Sequence, residues 1–111
     1  MRRETIDPGS LRVEFSLQQA NTTIDGMGGH SESWAEIAKL FGRLEPMSAK
    51  AEFGAGQTRE MVTHRIVVRW RPDLASGMRF VLANRTFDIL TAHDPDETGR
   101  YLICNTREVG R

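Results

Sequence analysis

Hydrophobic and polar residues alternate near the start of the chain. Over residues 11–19, "LRVEFSLQQ", the apolar side chains fall at every second position until the two glutamines. Successive side chains of a β-strand point to opposite faces, so this period of two predicts a half-buried strand. The next residues, "ANTTIDGMGGHSES", are rich in asparagine, aspartate and glycine. They predict a long, flexible hairpin connection.

Residues 33–46, "SWAEIAKLFGRLEP", fit two patterns. A helical spacing joins Trp34, Ile37, Leu40, Phe41 and Leu44. The period of two that is typical of a strand places Leu40, Gly42 and Leu44 on one face. Because glycine and this alternation suit a strand better than a helix, we predict an extended segment with a bulge near Ala38.

Residues 47–61 are rich in alanine and glycine and have no sustained apolar period. At about 15 residues, this stretch is longer than most connections within a compact domain. Ordering such a loop costs conformational entropy, so we expect it to contact a neighbouring molecule. A short surface helix over residues 48–54 is an equal alternative, and the two are compatible.

The second half of the chain predicts four more strands, at residues 63–70, 78–82, 85–91 and 101–107. Pro72 ends the first of these, and a tight turn at residues 83–84 joins the next two. The expected inward residues of that pair are Phe80, Leu82, Phe87 and Ile89. With no alternating helices, the sequence predicts an all-β fold: a small barrel or sandwich of about six antiparallel strands. The 111 residues should form a single domain with one long inter-strand loop.

The stretch "THRIVVRWR", residues 63–71, divides into two faces at period two. The predicted core face carries His64, Ile66, Val68 and Trp70, and His64 is expected to be half-buried with a hydrogen-bond partner. The opposite face carries Thr63, Arg65, Val67, Arg69 and Arg71.

Charge and cysteine content limit the partners and the compartment. Lysine plus arginine and aspartate plus glutamate number 15 each, so any contact with DNA needs a local patch. Cys104 is the sole cysteine, which excludes an intrachain disulfide and indicates synthesis in a reducing cytoplasm. The first nine residues are too polar for a signal peptide, and no apolar run approaches the roughly 20 residues that span a bilayer. We expect a soluble protein with no membrane partner.

Motifs for catalysis or metal binding are incomplete. Residues 29–33, "GHSES", lack the final glycine of a nucleophile elbow. Residues 94–99, "DPDETG", begin like a calcium loop, but Asn105 stands where a bidentate glutamate is needed. The three histidines lack ligand spacing. The sequence therefore predicts polar turns here, with no catalytic residue, cofactor or metal.

Four segments in this order resemble a known family: "DGMGGHSESW", "LEPMSAKAEFGAGQ", "THRIVVRWRPDLASGMRF" and "RTFDILTAHDPDETGRYLI". They look like the head-tail joining proteins of long-tailed bacteriophages, the small head-completion or stopper family also found in gene transfer agents. The likeness runs from about residue 11 to residue 102. Its most specific part is Thr-His-Arg at the start of a strand that ends in Arg-aromatic-Arg.

The resemblance implies a β-barrel subunit of a homo-oligomeric ring in a virion or virus-like particle. Such a ring lies beneath the portal and adaptor proteins, closes the channel after packaging, retains double-stranded DNA, and presents a surface to tail terminator or tail tube proteins. The long loop, about residues 46–60, would face the channel or neighbouring subunits. Its expected contact residues are Lys50, Phe53, Gln57 and Arg59. In such a ring the face of residues 63–71 that carries Arg65, Arg69 and Arg71 would be an assembly face, so charge reversal at Arg65 or Arg69 is expected to damage assembly more than folding. The family has no catalytic residues to transfer.

Three alternatives remain open from the sequence. The chain could be the adaptor or tail-completion ring of the same particle. It could be a small barrel that binds single-stranded nucleic acid through Trp70 and the arginines of "THRIVVRWR". A small hydrolase would need Ser31 or His64, and the sequence gives this reading little support.

Overall fold

A computed structural model describes residues 6–24, 26, 28–48 and 62–110, with the side chains of residues 23, 24, 30 and 31 excepted. Within them a short 3-10 turn, Pro8–Ser10, precedes six strands. The strands are β1 Val13–Ile24, β2 His30–Pro46, β3 His64–Arg69, β4 Arg79–Leu82, β5 Arg85–His93 and β6 Tyr101–Val109. They close into an antiparallel barrel in the order β1-β2-β3-β6-β5-β4. The predicted all-β fold is confirmed, as a barrel rather than a sandwich.

The barrel interior is filled by side chains at alternate positions of its strands. Three aromatic rings are fully buried there: the ring centroid of Phe15 lies 5.4 Å from that of Phe80 and 6.4 Å from that of Phe87. The other buried members of this cluster are Leu17, Ile66, Val68, Leu74, Ile89, Leu102 and Cys104. The predicted inward residues of β4 and β5 are confirmed, with Leu82 partly buried against the cluster.

A second, smaller cluster lies on the outer surface of the barrel. Val67 of β3 and Ile103 of β6 are neighbours in the ladder, and both are buried although their side chains point outward. Leu11 covers them, with Ile6 and Tyr101 packed alongside. Val67 thus lies on the face opposite the barrel interior, as predicted, but it is buried because the N-terminal segment folds across that face.

The ambiguous segment at residues 33–46 is a strand, as predicted. The register between β1 and β2 shifts between Leu17, which pairs with Ala38, and Gln18, which pairs with Glu36. Ile37 is thus the extra residue of a β-bulge, next to the predicted position. The helical alternative would have buried Phe41, whereas this side chain is 54% exposed.

The hairpin between β1 and β2 is longer than the sequence predicted. Paired backbone continues from Ala20 and Trp34 to Ile24 and His30, so most of the expected flexible connection is ladder. The β-branched residues of "NTTI" suit an extended backbone, which explains why the polar composition misled the prediction. Among the described residues, β4 pairs with β1 only as far as Gln18 and β3 pairs with β2 only over residues 42–46. Residues 19–24 and 30–35 therefore form a two-stranded projection, called the arm below.

The predicted turn between β5 and β6 holds its own acidic residues. A carboxylate oxygen of Asp94 accepts a hydrogen bond from the Gly99 N–H at 2.6 Å, and Asp96 accepts one from the Thr98 hydroxyl at 2.6 Å. These bonds favour a self-capped turn over an open calcium loop. Across the described part of the chain, no helix is both long and apolar enough to cross a membrane.

Candidate assembly surface

A groove with an estimated volume of about 430 Å³ lies on the outside of the barrel, next to the N-terminal segment. It combines apolar and cationic side chains from three parts of the chain: Pro8, Leu11, Leu40, Phe41, Arg69, Trp70 and Arg71. Two of its aromatic rings are open to solvent, with Phe41 54% and Trp70 43% exposed. Exposed aromatic rings beside arginines are typical of protein contact surfaces. We refer to this feature as the groove.

Trp70 reaches the groove because β3 ends one residue before it. Its backbone N–H donates to the carbonyl of Arg100 at 2.9 Å, outside the β3 to β6 ladder. The following Pro72 has no N–H with which to continue the strand. The prediction that Trp70 faces the core is therefore wrong, since the period of two applies only as far as Arg69.

The three arginines of the predicted assembly face lie in different environments. Arg69 is exposed in the groove, and within the described residues no acidic side chain forms an ion pair with it. Arg71 also lines the groove, where it donates two hydrogen bonds to Asp73 at 3.0 and 2.9 Å. Arg65 instead donates to Glu45 at 2.7 Å.

Glu45 also forms an ion pair with Arg43. The Nε of Arg43 lies close to the Glu45 carboxylate, but its orientation does not allow a hydrogen bond. A carboxylate shared by two arginines makes Arg65 part of the folded framework. Charge reversal at Arg65 should therefore affect folding as well as assembly. Arg69 is the position at which the two effects can be separated.

The base of the arm is fixed to the barrel by one arginine. Arg79 of β4 places its guanidinium over the ring of Trp34, 4.0 Å from the centroid, and donates to the side-chain oxygen of Gln18 at 2.8 Å. Stacking and hydrogen bonding by one planar group define the direction in which the arm leaves the barrel. This contact joins residues more than 40 positions apart in the chain, so no local sequence pattern predicts it.

A polar cluster joins the start of β3 to β5 and β6. The Nδ1 of His64 lies 2.8 Å from the Thr63 hydroxyl, and its ring meets Phe87 edge-on with centroids 5.1 Å apart. Arg85 binds the carboxylate of Glu108 through two hydrogen bonds, at 2.8 and 3.1 Å. Burial lowers the pKa of His64 below its ordinary value. The negative charge of Glu108 raises this pKa, and the positive charge of Arg85 lowers it further. His64 is thus half-buried with a hydrogen-bond partner, as predicted.

We expect the free energy of unfolding to decrease as the pH falls from about 7.5 to about 5.5. Because the folded pKa of His64 is below the unfolded value of 6.5, the unfolded chain takes up a proton that the folded chain resists. A His64→Gln variant keeps a hydrogen-bonding group but does not titrate, so its stability should depend less on pH. Urea titrations of both proteins at several pH values measure the difference. If the wild type instead gains stability relative to the variant as the pH falls, Glu108 outweighs burial.

Comparison with known proteins gives the class of this barrel. The sequence profile of the phage head completion protein family matches residues 6–109. The chain belongs to the phage head completion protein family. The resemblance inferred from the sequence is confirmed, and so is a location in the virion.

Two solved structures are similar to this head completion protein. One belongs to the virion of a native gene transfer agent particle: it is 28% identical, with a TM-score of 0.66 over 89% of this chain and 96% of that chain. The other is the solution structure of protein SF1141 from Shigella flexneri 2a, 24% identical, with a TM-score of 0.70 over 96% of this chain and 99% of that chain. The second likeness supports the fold alone. No match was found among curated protein sequences.

The remaining candidate residues of this head completion protein are described only in part. Burial raises the pKa of the Cys104 thiol to about 12, which keeps it protonated and unreactive. In the described segments no three His, Cys, Asp or Glu side chains are grouped to hold a metal ion. The predicted loop residues Lys50, Phe53, Gln57 and Arg59 lie outside the described residues, as does the side chain of Ser31.

Proposed function

We propose that this protein is the head-closure, or stopper, component of a phage-like particle. In this role copies of the chain form a ring under the portal and adaptor, close the channel after DNA packaging, retain the genome and receive the tail. The role is structural, with no catalytic step. The family match over residues 6–109, together with the likeness to a chain in a gene transfer agent virion, is the observation that carries this proposal.

The fold supports a closure ring over an adaptor ring. Adaptors of this kind of particle are usually helical, whereas the only helical element among the described residues is the turn Pro8–Ser10. A closed barrel has no exposed sheet edges except along its arm, so it is a rigid unit that can be repeated around an axis. The equal numbers of acidic and basic residues also suit a ring that surrounds DNA without binding it tightly.

The long segment at about residues 46–60 is the proposed channel-facing part of the ring. This proposal rests on the family resemblance and on the length of the segment between β2 and β3. Lys50 and Arg59 would supply positive charge near the DNA backbone, while Phe53 and Gln57 would contact neighbouring loops. Substitution of these four residues, followed by particle assembly, tests the proposal.

The groove gives limited support to binding of single-stranded nucleic acid. Such a site combines aromatic platforms with unneutralised cations. Phe41 and Trp70 offer exposed rings in the groove, but Arg71 is bound to Asp73 there, and Arg65, outside the groove, is bound to Glu45. The charges available for phosphate binding are therefore fewer than the sequence "RIVVRWR" suggests, and a protein contact is the better assignment for the groove.

Particles assembled without this protein provide the test. We expect heads that package DNA but lose it, and tails that fail to attach, with both defects corrected when the wild-type protein is supplied. Electron microscopy counts the full heads and the tailed particles, and nuclease protection measures retained DNA. Normal DNA retention together with normal tail attachment in the absence of the protein would exclude a head-closure role.

A further inference from the structure

The arm has no core of its own. It consists of two strands. Among the described residues, β1 beyond Gln18 pairs only with β2, and β2 before Gly42 pairs only with β1. An isolated two-stranded hairpin is marginally stable in water, and its outer edges carry unpaired backbone groups. The molecule is 55 Å long but only 32 by 26 Å in its other dimensions, so the arm projects well away from the barrel. Contact with a partner surface would therefore stabilise it.

The charge of the arm is one-sided. From residue 19 to residue 36 the sequence has no lysine or arginine. Glu32 and Glu36 are both exposed, and they share one face of β2 with Trp34 because side chains alternate along a strand. Arg79 approaches this face from β4, but its guanidinium is already engaged with Trp34 and Gln18. The arm therefore presents two carboxylates on either side of a clamped aromatic ring.

The groove has the complementary chemistry. Arg69 is exposed there beside the open rings of Phe41 and Trp70, with no ion pair to an acidic side chain among the described residues. Arg71 lies next to it, in its ion pair with Asp73. Exposed charge pairs give about 0 to 1 kcal/mol each, so the charges would select the partner and the orientation. Burial of the two aromatic rings would supply most of the affinity.

We propose that the acidic face of the arm of one copy binds in the groove of the next copy. Both halves of a complementary pair are present on one chain at different places on its surface. A contact of this kind is heterologous, and when it is repeated with a fixed rotation it closes a ring. The proposal names the subunit contact of the head-closure ring and in that sense rests on the proposed function.

The test uses two variants, each of which is expected to bind copies of itself more weakly than the wild type does. The arm variant is Glu32→Lys with Glu36→Lys, and the groove variant is Arg69→Glu with Arg71→Glu. All four residues lie at least partly on the surface, so both variants are expected to fold, which circular dichroism and thermal unfolding check. Mixed together, an altered arm meets an altered groove and a native arm meets a native groove, so both contacts regain opposite charges.

The readout is nuclear magnetic resonance of the isotope-labelled arm variant, whose groove is intact. Adding the unlabelled groove variant should shift the Trp70 indole and Phe41 amide signals. The apparent affinity should be at least tenfold higher than when the unlabelled arm variant is added. The neutral variant Glu32→Gln with Glu36→Gln should fall between the two mixtures.

Equal shifts in both mixtures, or none in either up to millimolar concentration, would overturn the proposed contact. The second outcome would assign the arm and the groove to other proteins of the particle. Because this measurement uses isolated protein, it is independent of the particle experiment. A failure of the head-closure role would leave the contact result intact, and the reverse is also true.

Discussion

Replacement of Phe15 by alanine is expected to lower the free energy of unfolding by about 3 to 5 kcal/mol. Phe15 is fully buried in β1, and its ring packs between Phe80 and Phe87 at centroid distances of 5.4 and 6.4 Å. The cost combines lost burial, lost aromatic contacts and a cavity that a closed barrel cannot easily collapse. Domains of this size have about 5 to 15 kcal/mol of total stability, so the variant should be close to unfolding under mild conditions.

Phe41→Ala is the matched control for this experiment. It removes the same side chain from the neighbouring strand, but Phe41 is 54% exposed, so its stability should stay within about 0.5 kcal/mol of the wild type. Urea titration of the three proteins, with equal slopes, gives both differences. The Phe41 variant should instead lose affinity in the mixing experiment described above. A larger stability loss for Phe41→Ala than for Phe15→Ala would mean that the two faces of the hairpin are assigned wrongly.

Most of the barrel is predictable from the sequence because its strands obey one local rule. Where one face packs inward, apolar residues recur at period two, and this held for β1 through Leu17 and for β3 through Val68. The long-range pairing of the N-terminal segment with β3 and β6 follows no local pattern. Val67 looks like an outward residue in sequence and becomes buried only because Leu11 arrives from more than 50 positions away.

The candidate assembly surface was only partly predictable for the same reason. Arg69 and Arg71 were assigned to an assembly face, and the structure brings both to the groove. Phe41 was not assigned to a site, although the predicted alternation of Leu40, Gly42 and Leu44 already places it on the opposite face of the strand. An aromatic residue on the otherwise polar face of a predicted strand is the sequence signal that could have identified the groove.

The arm was not predicted because its polarity resembles that of a loop. Amino-acid composition indicates whether a segment has enough apolar residues to form a core, and the arm has too few. Whether its backbone pairs depends on register with the opposite strand, which the bulge at Ile37 and the contact of Arg79 with Trp34 help to set. The bulge was predicted next to its observed position, but the contact of Arg79 with Trp34 cannot be read from a window of neighbouring residues.

Replacement of Gly42 by alanine is expected to lower the free energy of unfolding by about 1 to 3 kcal/mol. Alanine normally suits a strand better than glycine, so a purely local argument predicts a gain in stability. Here an added Cβ would lie 2.8 Å from the carbonyl oxygen of Val67, 2.9 Å from a methyl group of Val68 and 3.2 Å from the ring of Phe15. The first of these is backbone in the next strand and cannot move without disturbing the β2 to β3 ladder.

Gly9→Ala makes the same chemical change where there is room for it. Its Cβ would come no closer than 3.4 Å to a carboxylate oxygen of Asp7, at an exposed site outside the sheet. Its effect on stability should be within about 0.5 kcal/mol. Thermal and urea unfolding of the two variants separate the local preference of alanine from the space available in the barrel. If Gly42→Ala is as stable as the wild type, β2 and β3 are farther apart than their hydrogen-bonded pairing requires. The barrel would then not be closed between these two strands.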